Sequence, residues 1–391
     1  LTRILHILAS ADPRDGGPVE GALRAGEMWS RQGHQQELMT LDAPDASFLA
    51  DVPAVVHALG KPRNRTPWSR YRYAPGVVEW IKANAPRYDA VIVAGLWNYS
   101  SMAARLALAG GPTPYFVFTH GMLDPWFRKT YPLKGWLKQL FWLGSEGPLL
   151  RHARGVLFTT EEERMLADKA FWPYRANARV VGYGTADVSG NSTAQIAAFR
   201  HAVPALGERR YLLFLSRVHP KKGCDLLIDA FASIADRASD LDLVIAGPDH
   251  EGLVDRLKAQ VGDLHLEDRV HFPEMLQGDQ KWGAFRGCEA FVLTSHQENF
   301  GVVVAEALAC AKPVLISDKV NIWREVAADK AGLVEPDTHE GSCRLLARFL
   351  GLECSERKRM GERARESFLA RFTIEAAAAN LMTQIECDIS R

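Results

Sequence analysis

No apolar run in this 391-residue chain reaches the ~20 residues that a membrane-spanning helix needs. Cysteine is scarce, six in all, and no two form a C-x-x-C pair. Several lie in apolar runs. They read as reduced, buried thiols of a cytosolic protein, and neither as a disulfide framework nor as a zinc site. Net charge is absent: 47 Lys and Arg balance 47 Asp and Glu, which argues against nucleic acid as a partner. Residues 1–10 look like a strand and lack the charged head and cleavage site of a signal peptide. The expectation is a cytoplasmic protein, soluble or peripheral on the membrane face, that does not cross the bilayer.

What the chain does hold is material for a core. Hydrophobic residues make up 47% and charged residues 24%, which excludes disorder as the main state. The length suits two domains. Residues 1–185 carry 22 Lys and Arg against 16 Asp and Glu, and the remainder 25 against 31. A basic half thus precedes an acidic half.

Short apolar runs occur at 4–8, 36–40, 55–59, 90–94, 115–119, 156–160 and 179–181. A second set follows at 211–215, 241–246, 269–272, 290–294, 313–316 and 332–335. Helical patterns such as 19–31, 102–108, 225–237 and 302–310 lie between them. Strands apolar on both faces and separated by helices imply parallel sheets covered on both sides. Two such sets predict two doubly wound α/β domains. The polar, small-residue stretch 182–193 reads as the linker. The expected domains are 1–185 and 186–372, with a last helix over 373–391, capped by Thr373, that crosses back to the first. Ligands of open α/β sheets bind beyond the carboxyl ends of the strands, so chemistry belongs in the loops just after them.

Four of those loops carry candidate residues. After 290–294 come Ser295-His296-Gln297-Glu298-Asn299-Phe300-Gly301 and a helix containing Glu306. Gly301 lets the backbone approach a ligand. The amides of Gly301, Val302 and Val303 open a helix whose N-terminus suits a phosphate. Glu298 is placed for sugar hydroxyls and Glu306 for those of a ribose, although the pair also reads as an acidic cap and an ordinary helical Glu. After 211–215, Arg217 and Lys222 stand where two cations neutralise a diphosphate, or where a basic loop is simply solvated. After the first strand, Asp15-Gly16-Gly17-Pro18 is a glycine-rich turn that matches neither the P-loop nor the dinucleotide fingerprint. After 115–119, His120 faces the ligand edge, with Asp124 placed to orient it or to touch substrate; a structural histidine is the competing reading.

Together these segments resemble the retaining glycosyltransferases of family 4. The resemblance covers nearly the whole chain, and its most specific parts are Glu298-x7-Glu306 and Arg217…Lys222-Gly223. It implies an α/β fold of GT-B type, two Rossmann-like domains facing each other across a cleft. The first would bind the acceptor and the second the nucleotide sugar. The implied activity is metal-independent hexosyl transfer with retention, from a nucleoside-diphosphate sugar (UDP first, GDP second) to a glycan or lipid-linked acceptor, as in cell-surface polysaccharide or glycolipid synthesis. No cofactor is implied beyond that co-substrate.

By position, Arg217 and Lys222 would hold the diphosphate. Glu298 and the amides of Asn299, Phe300 and Gly301 would hold the sugar, and Glu306 the ribose. The loop after Phe272, with Met275, would cradle the base. Gly16 and Gly17 would line the donor and acceptor cleft, His120 would contact the transferring sugar, and Asp124 would serve the acceptor. Two departures stand out: Pro273-Glu274 where the family commonly has Gly, and Ala311 where Gly often ends the Glu306 helix. The one D-x-D match, Asp240-Leu241-Asp242, straddles the entry of a strand and reads as structural. The competing functions are a sugar-nucleotide epimerase or hydrolase of the same fold, and a non-catalytic sugar-nucleotide-binding subunit.

Two basic-aromatic segments complete the reading. Residues 61–73 carry five cations and no acid, and residues 126–143 carry four cations, no acid and six aromatics. Within the latter, Leu133, Trp136, Leu137, Leu140 and Phe141 share a helical stripe. Such a stripe beside cations suits an anionic membrane surface, or else it is core with solvated cations.

Overall fold

A computed structural model of the chain describes residues 1–15, 17–62, 66–130, 132–250 and 252–389. It divides into two compact units. The first is Leu1–Gly184 with the C-terminal helix Ile374–Ile389, and the second is Thr185–Thr373.

Unit 1 is built on one parallel sheet. Its strands are β1 (Arg3–Ile7), β2 (Gln35–Thr40), β3 (Val55–Ala58), β4 (Ala90–Ala94), β5 (Tyr115–Phe118), β6 (Gly155–Phe158) and β7 (Ala178–Val180), in the order 3-2-1-4-5-6-7. Unit 2 repeats the plan with β8 (Arg210–Leu215), β9 (Leu241–Ala246), β10 (Val270–His271), β11 (Ala290–Leu293), β12 (Val314–Ser317) and β13 (Gly332–Glu335), in the order 10-9-8-11-12-13. Every pairing in both sheets is parallel. The strand order reverses between β1 and β4 in unit 1 and between β8 and β11 in unit 2. At such a switch point the two exit loops diverge and leave a crevice.

The alternation of apolar runs and helical patterns predicts these two Rossmann-like units. The central strands β4, β5, β9, β11 and β12 are buried along their whole length, while the edge strands β3, β7 and β13 are partly exposed. A parallel sheet needs helices on both faces, and each Leu, Val, Ile or Phe so buried contributes roughly 1.5–3 kcal/mol. The C-terminal helix belongs to unit 1's core. Ala378, Leu381, Met382 and Ile385 join Ile4, Trp29, Ile92 and Phe116 in one cluster, and the Trp29 indole N–H donates to Ala378 O at 2.9 Å.

Two local expectations need correction. The linker-like stretch does not run to residue 193: the helix Ser192–Ala202 starts inside it, and the Asn191 side chain accepts from Ala194 N. Asn is as common at a helix cap as in a linker, so composition alone could not separate them. The cysteines are not all buried either. Cys224 and Cys288 are, but Cys354 and Cys387 are exposed on helices whose apolar stripes point elsewhere.

Ala311 follows the helix Val302–Ala309 in the left-handed region, φ +56°. A Cβ there costs about 1 kcal/mol. Ala311→Gly is therefore expected to raise unfolding stability by about that amount, read as a higher denaturant midpoint at unchanged slope. A lower midpoint would contradict it.

Candidate active site

The strongest constellation forms at the switch point of unit 2. β8 leads into Ser216-Arg217-Val218-His219 and a single turn, Pro220–Lys222. Gly223 then enters the helix Cys224–Ala235 with φ +65°. A Cβ at Gly223 would stand 2.2 Å from Thr294 O, so only glycine lets this loop lie against the exit of β11. The two loops are laced together. Thr294 Oγ1 donates to Gly223 O at 2.7 Å, Ser295 Oγ to Lys221 O at 2.9 Å, and His296 N to Lys221 O at 2.8 Å.

This lacing brings Lys222 onto Glu298, and the ammonium bonds Glu298 Oε2. Lys222 is buried, whereas Arg217 is exposed. Burial first, then the Lys221 and Arg217 cations, push the Lys222 ammonium down to about 7; the Glu298 carboxylate acts in the opposite sense. Lys221 and Arg217 thus crowd Lys222 with positive charge, and Glu298 is the one carboxylate paired to it among the described residues.

Glu298 is fixed through its backbone. Its N–H donates to Lys319 O at 2.9 Å and its carbonyl accepts from Asn321 N at 3.1 Å. Asn299 follows, and then Phe300, buried with its ring on Phe372 at 5.8 Å. Gly301, φ +77°, caps the helix Val302–Ala309. The first amides of a helix lack intrahelical acceptors and carry partial positive charge. Val302 opens that turn. Glu306 lies further along the same helix, buried, and its Oε1 accepts from Lys281 Nζ at 2.6 Å.

Met275 is exposed in the loop after β10, with its sulfur 3.5 Å from Gln277 Nε2. The neighbouring Glu274 O accepts from Gly247 N at 3.0 Å, tying this loop to the exit of β9. Asp242, of the D-x-D match, is fully buried at the amino end of β9. Arg209 and Arg269 hold its Oδ1 at 2.8 and 2.9 Å, and His271 its Oδ2 at 2.9 Å. Its role is structural.

In unit 1 the candidates sit at the exits of β1 and β5. Gly16 lies outside the described residues. Gly17 opens the helix Gly17–Arg31, and its carbonyl accepts from Tyr183 OH at 2.7 Å. His120 is left-handed, φ +48°, and stacks on Phe118 at 4.4 Å and 6°. Burial, and secondarily His6, lower its imidazole to about 3, so the ring is neutral at pH 7. Asp124 accepts from Trp126 N at 2.8 Å through Oδ1, as a residue preceding a helix does. Sequence reasoning missed Asp42, buried at the exit of β2, which accepts from Ser10 Oγ and Ala11 N at 2.7 Å each and anchors the glycine-rich turn. Its position just past a strand end was the available signal.

The basic-aromatic segments also lie in unit 1; their residues 63–65 and 131 fall outside the described set. The helix Pro132–Phe141 exposes Leu133 at 84%, Trp136 at 70%, Leu137 at 69% and Leu140 at 65%. Trp68, from the other segment, is equally open. Ring contacts run from Trp68 to Tyr73, Tyr99, Tyr71 and Phe141 at 4.8–6.1 Å, joining the two segments. No helix among the described residues is long and apolar enough to cross a membrane.

Solved structures share this architecture along its full length. Anabaena HepE, crystallised with UDP and glucose, superposes with a TM-score of 0.73 over 99% of this chain and 100% of its own, at 19% identity. Sucrose-phosphate synthase of Thermosynechococcus elongatus gives 0.76 over 100% and 99%, also at 19%. The class is therefore that of two Rossmann-like α/β units in the GT-B arrangement of elements. Sequence profiles narrow it: "Glycosyl transferases group 1" matches residues 196–367 and "Glycosyl transferase 4-like domain" matches 16–184. The chain belongs to the family 4-type glycosyltransferases. Curated relatives include the D-inositol 3-phosphate glycosyltransferase of Kineococcus radiotolerans, 33% identical over 42% of this chain and 41% of that protein. The mannosylfructose-phosphate synthase of Agrobacterium fabrum is 30% identical over 32% and 29%. Each alignment spans less than half of the relative.

Proposed function

We propose that this protein is a retaining, metal-independent hexosyltransferase. It would take a UDP-sugar, or a GDP-sugar as second choice, and glycosylate a glycan or lipid-linked acceptor in cell-surface polysaccharide or glycolipid synthesis. The observation that carries this is the Lys222–Glu298 pair at the unit 2 switch point, beside Arg217 and the Val302–Ala309 helix N-terminus. In that reading the diphosphate replaces Glu298 as the partner of Lys222, with Arg217 and the first helical amides as further donors. Glu298, released, accepts from the sugar hydroxyls; Glu306 serves the ribose, and the Met275 loop the base.

As the sugar C1–O bond breaks, negative charge grows on the β-phosphate and positive charge on the sugar ring. Fixed cations and helix amides aimed at the leaving oxygen lower that barrier because they need not reorganise. With retention, the acceptor attacks from the face the phosphate leaves, and the phosphate takes the acceptor proton. In this reading His120, neutral at pH 7, would contact the transferring sugar, Gly17 would serve the donor and Asp124 the acceptor. A melting-temperature panel of nucleoside diphosphates tests the donor reading, because a ligand specific for the native state raises the midpoint. UDP or GDP should raise it while the monophosphates do so less. Equal shifts from all of them would contradict a diphosphate site.

The exposed stripe Leu133, Trp136, Leu137 and Leu140, beside Lys134 and Trp68, supports peripheral binding to an anionic bilayer. Insertion of such a face is strengthened by basic neighbours and screened by salt. The chain should sediment with phosphatidylserine vesicles at low salt, and Leu137→Asp should lower the bound fraction several-fold with no change in melting temperature. No difference between neutral and anionic vesicles would sink the electrostatic part.

A further inference from the structure

Glu163 is a buried carboxylate, 4% exposed, with no cation paired to it among the described residues. It stands third in the helix Glu161–Ala167, whose cap Thr160 accepts from Glu163 N at 3.0 Å. In an ordinary capping box such a Glu reaches back to the amide of the cap itself. Here the carboxylate goes elsewhere. Oε2 accepts from Thr159 N at 2.7 Å and Thr159 Oγ1 at 2.6 Å. Oε1 crosses to the exit of β5 and accepts from Thr119 Oγ1 at 2.8 Å and Gly121 N at 2.6 Å.

Those last two donors flank His120. His120 and Gly121 are successive left-handed residues, φ +48° and +74°. For a non-glycine residue that conformation costs roughly 1–2 kcal/mol, and it persists only where the surroundings over-determine it. One oxygen bonded to both neighbours supplies that constraint. Between those two bonded neighbours the imidazole lies flat against Phe118.

We propose that Glu163 is a positioning residue for His120: its carboxylate clamps Thr119 and Gly121 and so aims the imidazole, without itself meeting substrate. This rests on the reading that His120 contacts the transferring sugar. The discriminating variant is Glu163→Gln, because an amide keeps the shape but turns one of the two accepting oxygens into a donor facing donors. Thr119→Val is the milder companion should Glu163→Gln fold poorly, since it removes one of the two bonds to Glu163 Oε1 together with a longer contact, 3.5 Å, to Leu157 O.

The experiment compares wild type and both variants in full-length protein for kcat, donor KM, melting temperature and the His120 ring resonance in a 1H–13C spectrum. A displaced catalytic group costs up to roughly 100-fold in rate. The expected result is kcat down roughly 10- to 100-fold in Glu163→Gln and less in Thr119→Val. Donor KM should hold and the His120 resonance should move in both. A lower melting temperature with wild-type kcat and an unmoved resonance would overturn the proposal and leave Glu163 as packing only. If the resonance moves but His120→Ala transfers sugar normally, the clamp stands and the role given to His120 fails.

Discussion

Glu298→Ala is expected to abolish sugar transfer while leaving the fold and the hold on nucleotide intact. The loss should reach roughly 10²–10³-fold in kcat, the scale of one preorganised contact made in the transition state. The geometry adds a second expectation. Glu298 bonds the Lys222 ammonium, so its removal frees that cation. Affinity for UDP should therefore stay level or rise as turnover collapses. Such opposite movement is hard to obtain from general damage, which lowers both. Turnover like that of wild type would refute the assignment.

Lys222→Ala carries the next largest effect. A hydrogen bond between charged groups contributes about 1.5–3 kcal/mol, so UDP affinity should fall roughly 10- to 100-fold. Its pH dependence identifies the group. In the free protein the ammonium is lowered to about 7 by burial and by Lys221 and Arg217. A bound diphosphate favours the charged form and raises it. Where the lowered ammonium titrates, the complex then holds more protons than the free protein, so affinity declines as pH rises through that range. Calorimetry in buffers of different ionisation enthalpy should report proton uptake near pH 8, and none in Lys222→Ala. Unchanged donor affinity in the variant would contradict the role of Lys222.

The sequence shows the architecture because buried parallel strands leave a plain signature. Ala90–Ala94 and Ala290–Leu293 are apolar on both faces, and no solvated element reads that way. It shows the chemistry-bearing loops because they follow such strands. It does not show which loops meet. Lys222 and Glu298 lie 76 residues apart, and only the placement of β8 beside β11 sets the ammonium on the carboxylate. Sequence reasoning gives the diphosphate to one and the sugar to the other; the structure bonds them to each other. Glu163 is hidden differently. In the run Glu161-Glu162-Glu163 it reads as one more acid in a helix's first turn, and only the path of its side chain separates it from a dipole-satisfying neighbour. Ala311 was legible in the opposite sense: a non-glycine residue after a helix flags strain, and φ is positive there.

The most direct test of the central claim is a crystal structure of the full chain with UDP bound. The β-phosphate is expected within hydrogen-bonding distance of Lys222 Nζ and of an amide among Gly301, Val302 and Val303. The Glu298 carboxylate should have turned away from the ammonium. A pyrophosphate lodged elsewhere, with the Lys222–Glu298 contact unbroken, would contradict it.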